Sequence, residues 1–284
     1  MHLHLLQYAI ASLQPQANRT RVRALVQERL QSGDVAPGDL LVLPELFSTG
    51  TLPPDFERTG ASAIAGEDRA FLAALARDTA SYVVAGILGE ASSGRDAEHR
   101  IPRLRNLCVV IAPDGRELSS YQKIHPFSLG GEDRMFEGGT TVVTATVGGF
   151  TLQTAVCYDL RFPELFRAAG HDEAGRAADL IVVPANWPAS RREHWDVLLR
   201  ARAIENQCYV AGVNCLGTQH GTSYAGGSAL VSPKGDVLAA GGEAEGLFSG
   251  GISADHVRAW RRVFPALRDR KPESFWNGRL DHQE

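Results

Sequence analysis

Thr151-Leu152-Gln153-Thr154-Ala155-Val156-Cys157 is a largely apolar run that ends in a thiol, and Tyr158-Asp159-Leu160-Arg161-Phe162-Pro163-Glu164 follows it as a charged turn that opens a helix. This switch of pattern puts Cys157 at the carboxyl end of a buried strand. Open α/β proteins assemble their chemistry at such ends, because the strand fixes the side chain while the amides that follow point into the crevice. Two more runs end in the same way: Leu41-Val42-Leu43-Pro44-Glu45 in a carboxylate, and Tyr121-Gln122-Lys123-Ile124-His125 in an ammonium. A carboxylate, an ammonium and a thiol at three strand ends point to an amide-cleaving site.

Around these runs the elements alternate, which predicts an α/β fold. A strand over 3–12 leads to a helix whose inward face is Val22, Leu25, Val26 and Leu30, with Asn18-Arg19-Thr20 as its expected cap. A strand at 40–45, a helix over 66–79 with Phe71, Leu72 and Leu75 inward, and a strand at 82–88 repeat the unit. Pro113-Asp114-Gly115-Arg116, Gly148-Gly149 and the segment around Ser232 to Asp236 each read as a hairpin turn. Leu180 to Pro184 and Tyr209 to Val213 read as further strands. Ser190-Arg191-Arg192-Glu193 has the spacing of a capping box, before a helix expected to bury Trp195, Leu198, Leu199 and Ile204. A last helix is expected from Asp255, and nothing resembles a linker, so the reading is one domain over 1–284 with a C-terminal helix and tail over about 254–284.

Composition excludes several partners. Lys and Arg total 29 against 33 Asp and Glu, a formal charge of −4 with both signs scattered, so there is no basic stripe for nucleic acid and no polybasic patch for a membrane. No stretch approaches the roughly 18 apolar residues of a spanning helix, and the amino terminus lacks a cationic leader, so the expected location is the cytoplasm. Cys108, Cys157, Cys208 and Cys215 lack CxxC spacing and sit in or beside apolar runs, which favours reduced thiols over disulfides or zinc. His2, His4, His171, His194 and His220 show no ligand spacing, so neither a metal nor a cofactor is expected.

Leu-Pro-Glu-Leu-Phe at 43–47, Tyr-Gln-Lys-Ile-His at 121–125 and Val-Cys-Tyr-Asp-Leu-Arg-Phe-Pro-Glu-Leu-Phe-Arg at 156–167 resemble, in order, the three motifs of the nitrilase superfamily of carbon–nitrogen hydrolases. Pro184-Ala185-Asn186-Trp187-Pro188, Arg200 to Gln207 and Tyr224-Ala225-Gly226-Gly227-Ser228 are similar to its ω-amidase branch. The resemblance implies a four-layer α-β-β-α sandwich of the nitrilase type, a homodimer joined through helical faces, and a Glu45, Lys123, Cys157 triad acting on a small-molecule amide and water. It also implies a second active-site carboxylate near Glu132, with Asp133 and Glu137 as rivals.

The chemistry follows from the residue types. A thiol with a pKa near 8.5 is mostly protonated at neutral pH, so Cys157 needs a base or a cation. Glu45 can take its proton, pass it to departing ammonia and later activate water, while Lys123 and the backbone N–H of Tyr158 stabilise the oxyanion. Asn186, Trp187, His125 and Arg161 are the candidate substrate contacts; for His125 a structural hydrogen bond is an equal alternative, and for Arg161 a brace to Asp159 or Glu164 is favoured. The expected reaction converts a small linear amide, such as the monoamide of a dicarboxylic acid, to carboxylate and ammonia through a thioester. N-carbamoyl amines, peptide-like amides and nitriles are alternative substrates. A silent member that keeps the fold for binding or assembly is the non-enzyme alternative.

Overall fold

The computed structural model describes residues 1–90, 103–168 and 177–271; His171 and the tail beyond 271 lie outside the described residues. The chain enters through β1 (His2–Gln7), α1 (Pro15–Gln31), β2 (Leu40–Val42), α2 (Ala61–Thr79), β3 (Tyr82–Gly89), β4 (Arg105–Ile111) and β5 (Glu117–Gln122). After α3 (Glu132–Met135) come β6 (Thr144–Val147), β7 (Phe150–Thr154), α4 (Pro163–Ala168), β8 (Leu180–Ala185), α5 (Arg192–Asn206) and β9 (Tyr209–Asn214). The hairpin β10 (Leu216–Gln219) and β11 (Thr222–Ala225), then β12 (Ala229–Val231), β13 (Val237–Ala240), β14 (Gly246–Gly251) and α6 (Ala254–Val263) complete it.

Two six-stranded sheets result, ordered β14-β1-β2-β3-β4-β5 and β13-β12-β9-β8-β7-β6. In each, parallel strands at the centre give way to antiparallel ones: β1, β2 and β3 run parallel, as do β7, β8 and β9, while β3-β4-β5 and β6-β7 are antiparallel. The period-two alternation of strand side chains decides the layers. Leu3, Leu5, Leu40, Val42 and Val84 share one core with Leu152, Leu180 and Val182 between the sheets. Their neighbours Leu6, Leu41, Leu43, Val83 and Ala85 pack on the opposite face with Val22, Val26, Leu72 and Leu75 of α1 and α2. Trp195, Leu199 and Ala203 of α5 cover the outer side of the second sheet. The α-β-β-α order of layers is therefore present.

Three local expectations need correction. Helix α1 begins at Pro15, before the proposed cap, because proline suits the first helical turn; Asn18 instead turns inward and bonds the backbone N–H and C=O of Ala11. The Ser190 box does not form: a 3-10 turn over Ala189–Arg191 delays α5 to Arg192, and no side chain caps it. The indole N–H of Trp187 donates to the Arg191 carbonyl and fixes that turn. Ile204 is exposed rather than inward, on a face of α5 shared with exposed Val197.

Candidate active site

The turn after β2 is built by close packing. Leu43 donates to Val84, Gly86 donates to Pro44 and Phe47 donates to Gly86, so the chain stays bonded to β3 while it turns. A Cβ on Gly86 would come within 2.5 Å of the Glu45 Cα, so only glycine permits this approach. Leu46 takes a left-handed conformation with φ of 46°, and Glu45 is left buried, 1% exposed. Its Oε1 accepts from Lys123 Nζ at 2.9 Å and Asn106 Nδ2 at 2.7 Å, and its Oε2 accepts from the Asn186 backbone N–H at 2.8 Å. Asn186 Nδ2 donates to the Glu45 carbonyl, 3.1 Å away.

Lys123 follows the end of β5 and is fully buried. Its ammonium bridges Glu45 and Glu132, the latter at 2.7 Å, and Glu132 also accepts from the Phe127 backbone N–H at 2.9 Å. Burial alone would strip the proton from such a lysine; the carboxylates of Glu132 and Glu45 outweigh it and hold the ammonium well above the ordinary lysine range. Of the three acids near 132–137, Glu132 is the one bonded to Lys123.

Cys157 opens a 3-10 turn over Cys157–Arg161, three residues past the end of β7, with φ of 47°. This left-handed conformation is uncommon for a residue with a side chain and marks a held, strained elbow. Burial first, and then the charge of Glu45, push the thiol well above its ordinary value, with Lys123 working the other way. Cys108, Cys208 and Cys215 are also free and buried.

A cavity of about 600 Å³ opens onto Cys157, Glu132, Asn186 and Trp187, with Lys123 and Glu45 buried behind them. Trp187 is 2% exposed and packs on Trp195, with ring centroids 5.4 Å apart. Among the described lining residues Glu132 is the one carboxylate, against Arg58, Arg134, Arg161 and Arg191. The Arg161 guanidinium lies 4.8 Å over the Trp187 ring and 3.3 Å from His194 Nδ1, and Arg191 lies 5.2 Å over Phe127. Neither has a carboxylate partner among the described residues, so Arg161 is a cavity residue and not a brace to Asp159 or Glu164.

His125 is corrected as well. The strand ends at Gln122, so alternation does not carry the ring to the cavity; it bonds Asp159 through Nδ1 at 2.8 Å and stacks on Phe162 at 3.8 Å. Asn106, Arg58, Arg134 and Arg191 were not singled out by the sequence. Asn106 had a usable signal, a polar residue in the apolar run Leu104 to Ala112; the arginines had none, because they come from unrelated loops. Among the described residues no group of three or more His, Cys, Asp or Glu is placed to hold a metal, and no helix is long and apolar enough to cross a membrane.

Known proteins agree with this architecture. The chain is similar to a 2-oxoglutaramate amidase of Paenarthrobacter nicotinovorans, 34% identical over 281 residues and covering 94% of this chain and 90% of that one. It is similar to Omega-amidase YafV of Escherichia coli K12, 31% identical across 84% of this chain and 86% of the relative. It is also similar, at 27% identity, to a mutant amidase of Nesterenkonia sp. AN1 that carries the acetamide moiety of fluoroacetamide covalently on its active-site cysteine; the TM-score is 0.80, over 98% of this chain and 96% of that one. The carbon-nitrogen hydrolase family model matches residues 4–262, and with that match the chain belongs to the carbon–nitrogen hydrolase family.

Proposed function

We propose that the protein is a cysteine-dependent ω-amidase, hydrolysing the terminal amide of a small monoamide of a dicarboxylic acid through a Glu45, Lys123, Cys157 triad. The observation that carries the chemistry is the buried Lys123 ammonium bridging Glu45 and Glu132 behind a strained Cys157 elbow. Glu45 takes the thiol proton as sulfur attacks the amide carbon, and the resulting oxyanion is met by Lys123 and by the Tyr158 backbone N–H, which sits in the first turn of a helix where donors lack intrahelical partners. The proton passes to nitrogen, the C–N bond breaks, and ammonia leaves a thioester on Cys157. Glu45 then deprotonates water, which attacks the thioester carbon; the C–S bond breaks and the thiol regains its proton. Glu132 holds Lys123 charged throughout. Asn186, whose Oδ1 is buried without a partner among the described residues, is an acceptor for the substrate amide N–H.

The substrate class rests on the cavity's charge. Arg161 and Arg191, held on aromatic rings without carboxylate partners, suit a carboxylate at the far end of the substrate. The amidase relatives named above support the same reading. A neutral nitrile or aliphatic amide would leave both guanidiniums unanswered. The test is ammonia release across succinamate, 2-oxoglutaramate, an N-carbamoyl amino acid, an aliphatic amide and a nitrile. The two monoamides should lead; a neutral amide or nitrile turned over faster would overturn the substrate assignment.

The same reading takes residues 1–284 as one domain, in the cytoplasm, assembling as a homodimer. Exposed Val197 and Ile204 on one face of α5 support a contact between copies there.

A further inference from the structure

We propose that Asp159 is a positioning residue that holds the Cys157 thiol in register with the Lys123 ammonium; this rests on the catalytic reading of those two residues given above. Asp159 is fully buried, and its carboxylate accepts four hydrogen bonds. Oδ1 takes the His125 backbone N–H at 3.0 Å and His125 Nδ1 at 2.8 Å; facing a carboxylate, that nitrogen carries the proton. Oδ2 takes the Tyr121 hydroxyl at 2.7 Å and the Val156 backbone N–H at 3.0 Å. The Tyr121 hydroxyl in turn accepts from the Ile124 N–H at 3.2 Å.

The placement of these bonds is what matters. Lys123 is the middle residue of the segment from Tyr121 to His125, and both ends of that segment are gripped by Asp159. Cys157 lies between Val156 and Asp159, and its turn is closed by the Val156 N–H on the carboxylate and by the Asp159 N–H on the Val156 carbonyl at 3.0 Å. One carboxylate therefore fixes the chain on either side of the ammonium, which belongs to the first sheet, and on either side of the thiol, which belongs to the second. The left-handed backbone of Cys157 needs such a grip, since a residue with a side chain leaves that conformation unless its surroundings hold it. Stacking of His125 on Phe162 at 3.8 Å closes the bracket on the helix side.

The titratable groups facing Asp159 are Tyr121, His125 and Cys108; those facing the thiol are Glu45, Lys123 and Glu132. Asp159 reaches the sulfur by geometry: if the bracket loosens, Lys123 no longer offsets the burial of the thiol as well, and the thiolate forms at higher pH.

The experiment compares Asp159→Asn and Tyr121→Phe with wild type and Cys157→Ala. It measures kcat and KM on the amide cleaved fastest in the panel above, the pH profile of Cys157 alkylation by iodoacetamide, and Tm. Tyr121→Phe removes one bond of the bracket and leaves Cys157, Lys123 and Glu45 in place. The expected losses in kcat are about tenfold for Tyr121→Phe and about a hundredfold for Asp159→Asn, with KM within about twofold. In both, the alkylation profile should move to higher pH. A folded Tyr121→Phe with wild-type kcat and a wild-type alkylation profile overturns the proposal, whether or not Asp159→Asn folds. A lower kcat with an unshifted profile also overturns it, as plain structural weakening. Activity in Cys157→Ala would instead remove the catalytic reading beneath it.

Discussion

The floor and the rim of the cavity are built on opposite plans. On the floor, the Glu45 carboxylate accepts three hydrogen bonds, two from side chains and one from a backbone N–H, and Lys123 bridges two carboxylates, all but sealed from water. At the rim, Arg161 and Arg191 rest on aromatic faces and have no carboxylate partner among the described residues. A buried ion bridge contributes little net stability, because desolvation offsets its attraction, so its presence marks a place where geometry matters more than stability. An unpaired guanidinium at a cavity mouth marks a place left for a ligand. Under the proposed function, the floor supplies the reaction and the rim selects the substrate.

That division breaks if floor and rim variants behave alike. The largest effect is expected on the floor. Glu45→Gln keeps the shape and removes the proton shuttle, so kcat on every amide should fall by about a thousandfold or more, with Tm little changed. Glu45→Gln within about tenfold of wild type would move the base to another group, Glu132 first. Lys123→Met should be comparably slow, since it removes the oxyanion partner.

A smaller and selective effect belongs to the rim. Arg191→Met and Arg161→Met should each raise KM for succinamate about tenfold to a hundredfold, the value of one charge-assisted hydrogen bond, and leave hydrolysis of a neutral amide nearly unchanged. Equal losses on charged and neutral amides would return these arginines to a packing role.

The smallest effect on turnover lies behind the floor, where Asp68 is buried against Ser48 and Arg19, beside the Glu45 turn. Burial pushes its carboxyl up to about 6 despite both partners. A folded-state value above the unfolded one means that the folded protein holds the proton more tightly. The resulting stabilisation is complete below about pH 4 and is lost as pH rises through about 6, amounting to about 3 kcal/mol at most. Asp68→Asn should flatten the change in Tm between pH 4 and pH 6 while altering kcat less than about tenfold. A wild-type slope in that variant would assign the dependence elsewhere.

How much of this was legible in the sequence follows from where the signals are stored. Glu45, Lys123 and Cys157 each close a strand-like run, and a strand end is a local pattern, so all three stood out as candidates from the residues; the order of layers was implied by the resemblance to the nitrilase superfamily. The bracket around Asp159 joins Tyr121, His125 and Val156 across two sheets, and no local pattern carries that pairing. The same holds for Asn106 on Glu45 and for the rim arginines, which meet only in the folded chain. For His125 the structural hydrogen bond was realised and not the pocket position, because β5 ends at Gln122 and alternation does not extend to 125; Ile204 faces outward because apolar periodicity on α5 does not by itself say which residues the sheet covers.

The proposed mechanism places the acyl group on Cys157. Rapid acid quench of wild-type protein during turnover of succinamate, followed by peptide mass analysis, tests it directly. The expected result is a succinyl mass increment on the peptide containing Cys157, absent from Cys157→Ala, which should release no ammonia. An increment on a serine or lysine instead, or ammonia release by Cys157→Ala at a substantial fraction of the wild-type rate, would contradict it.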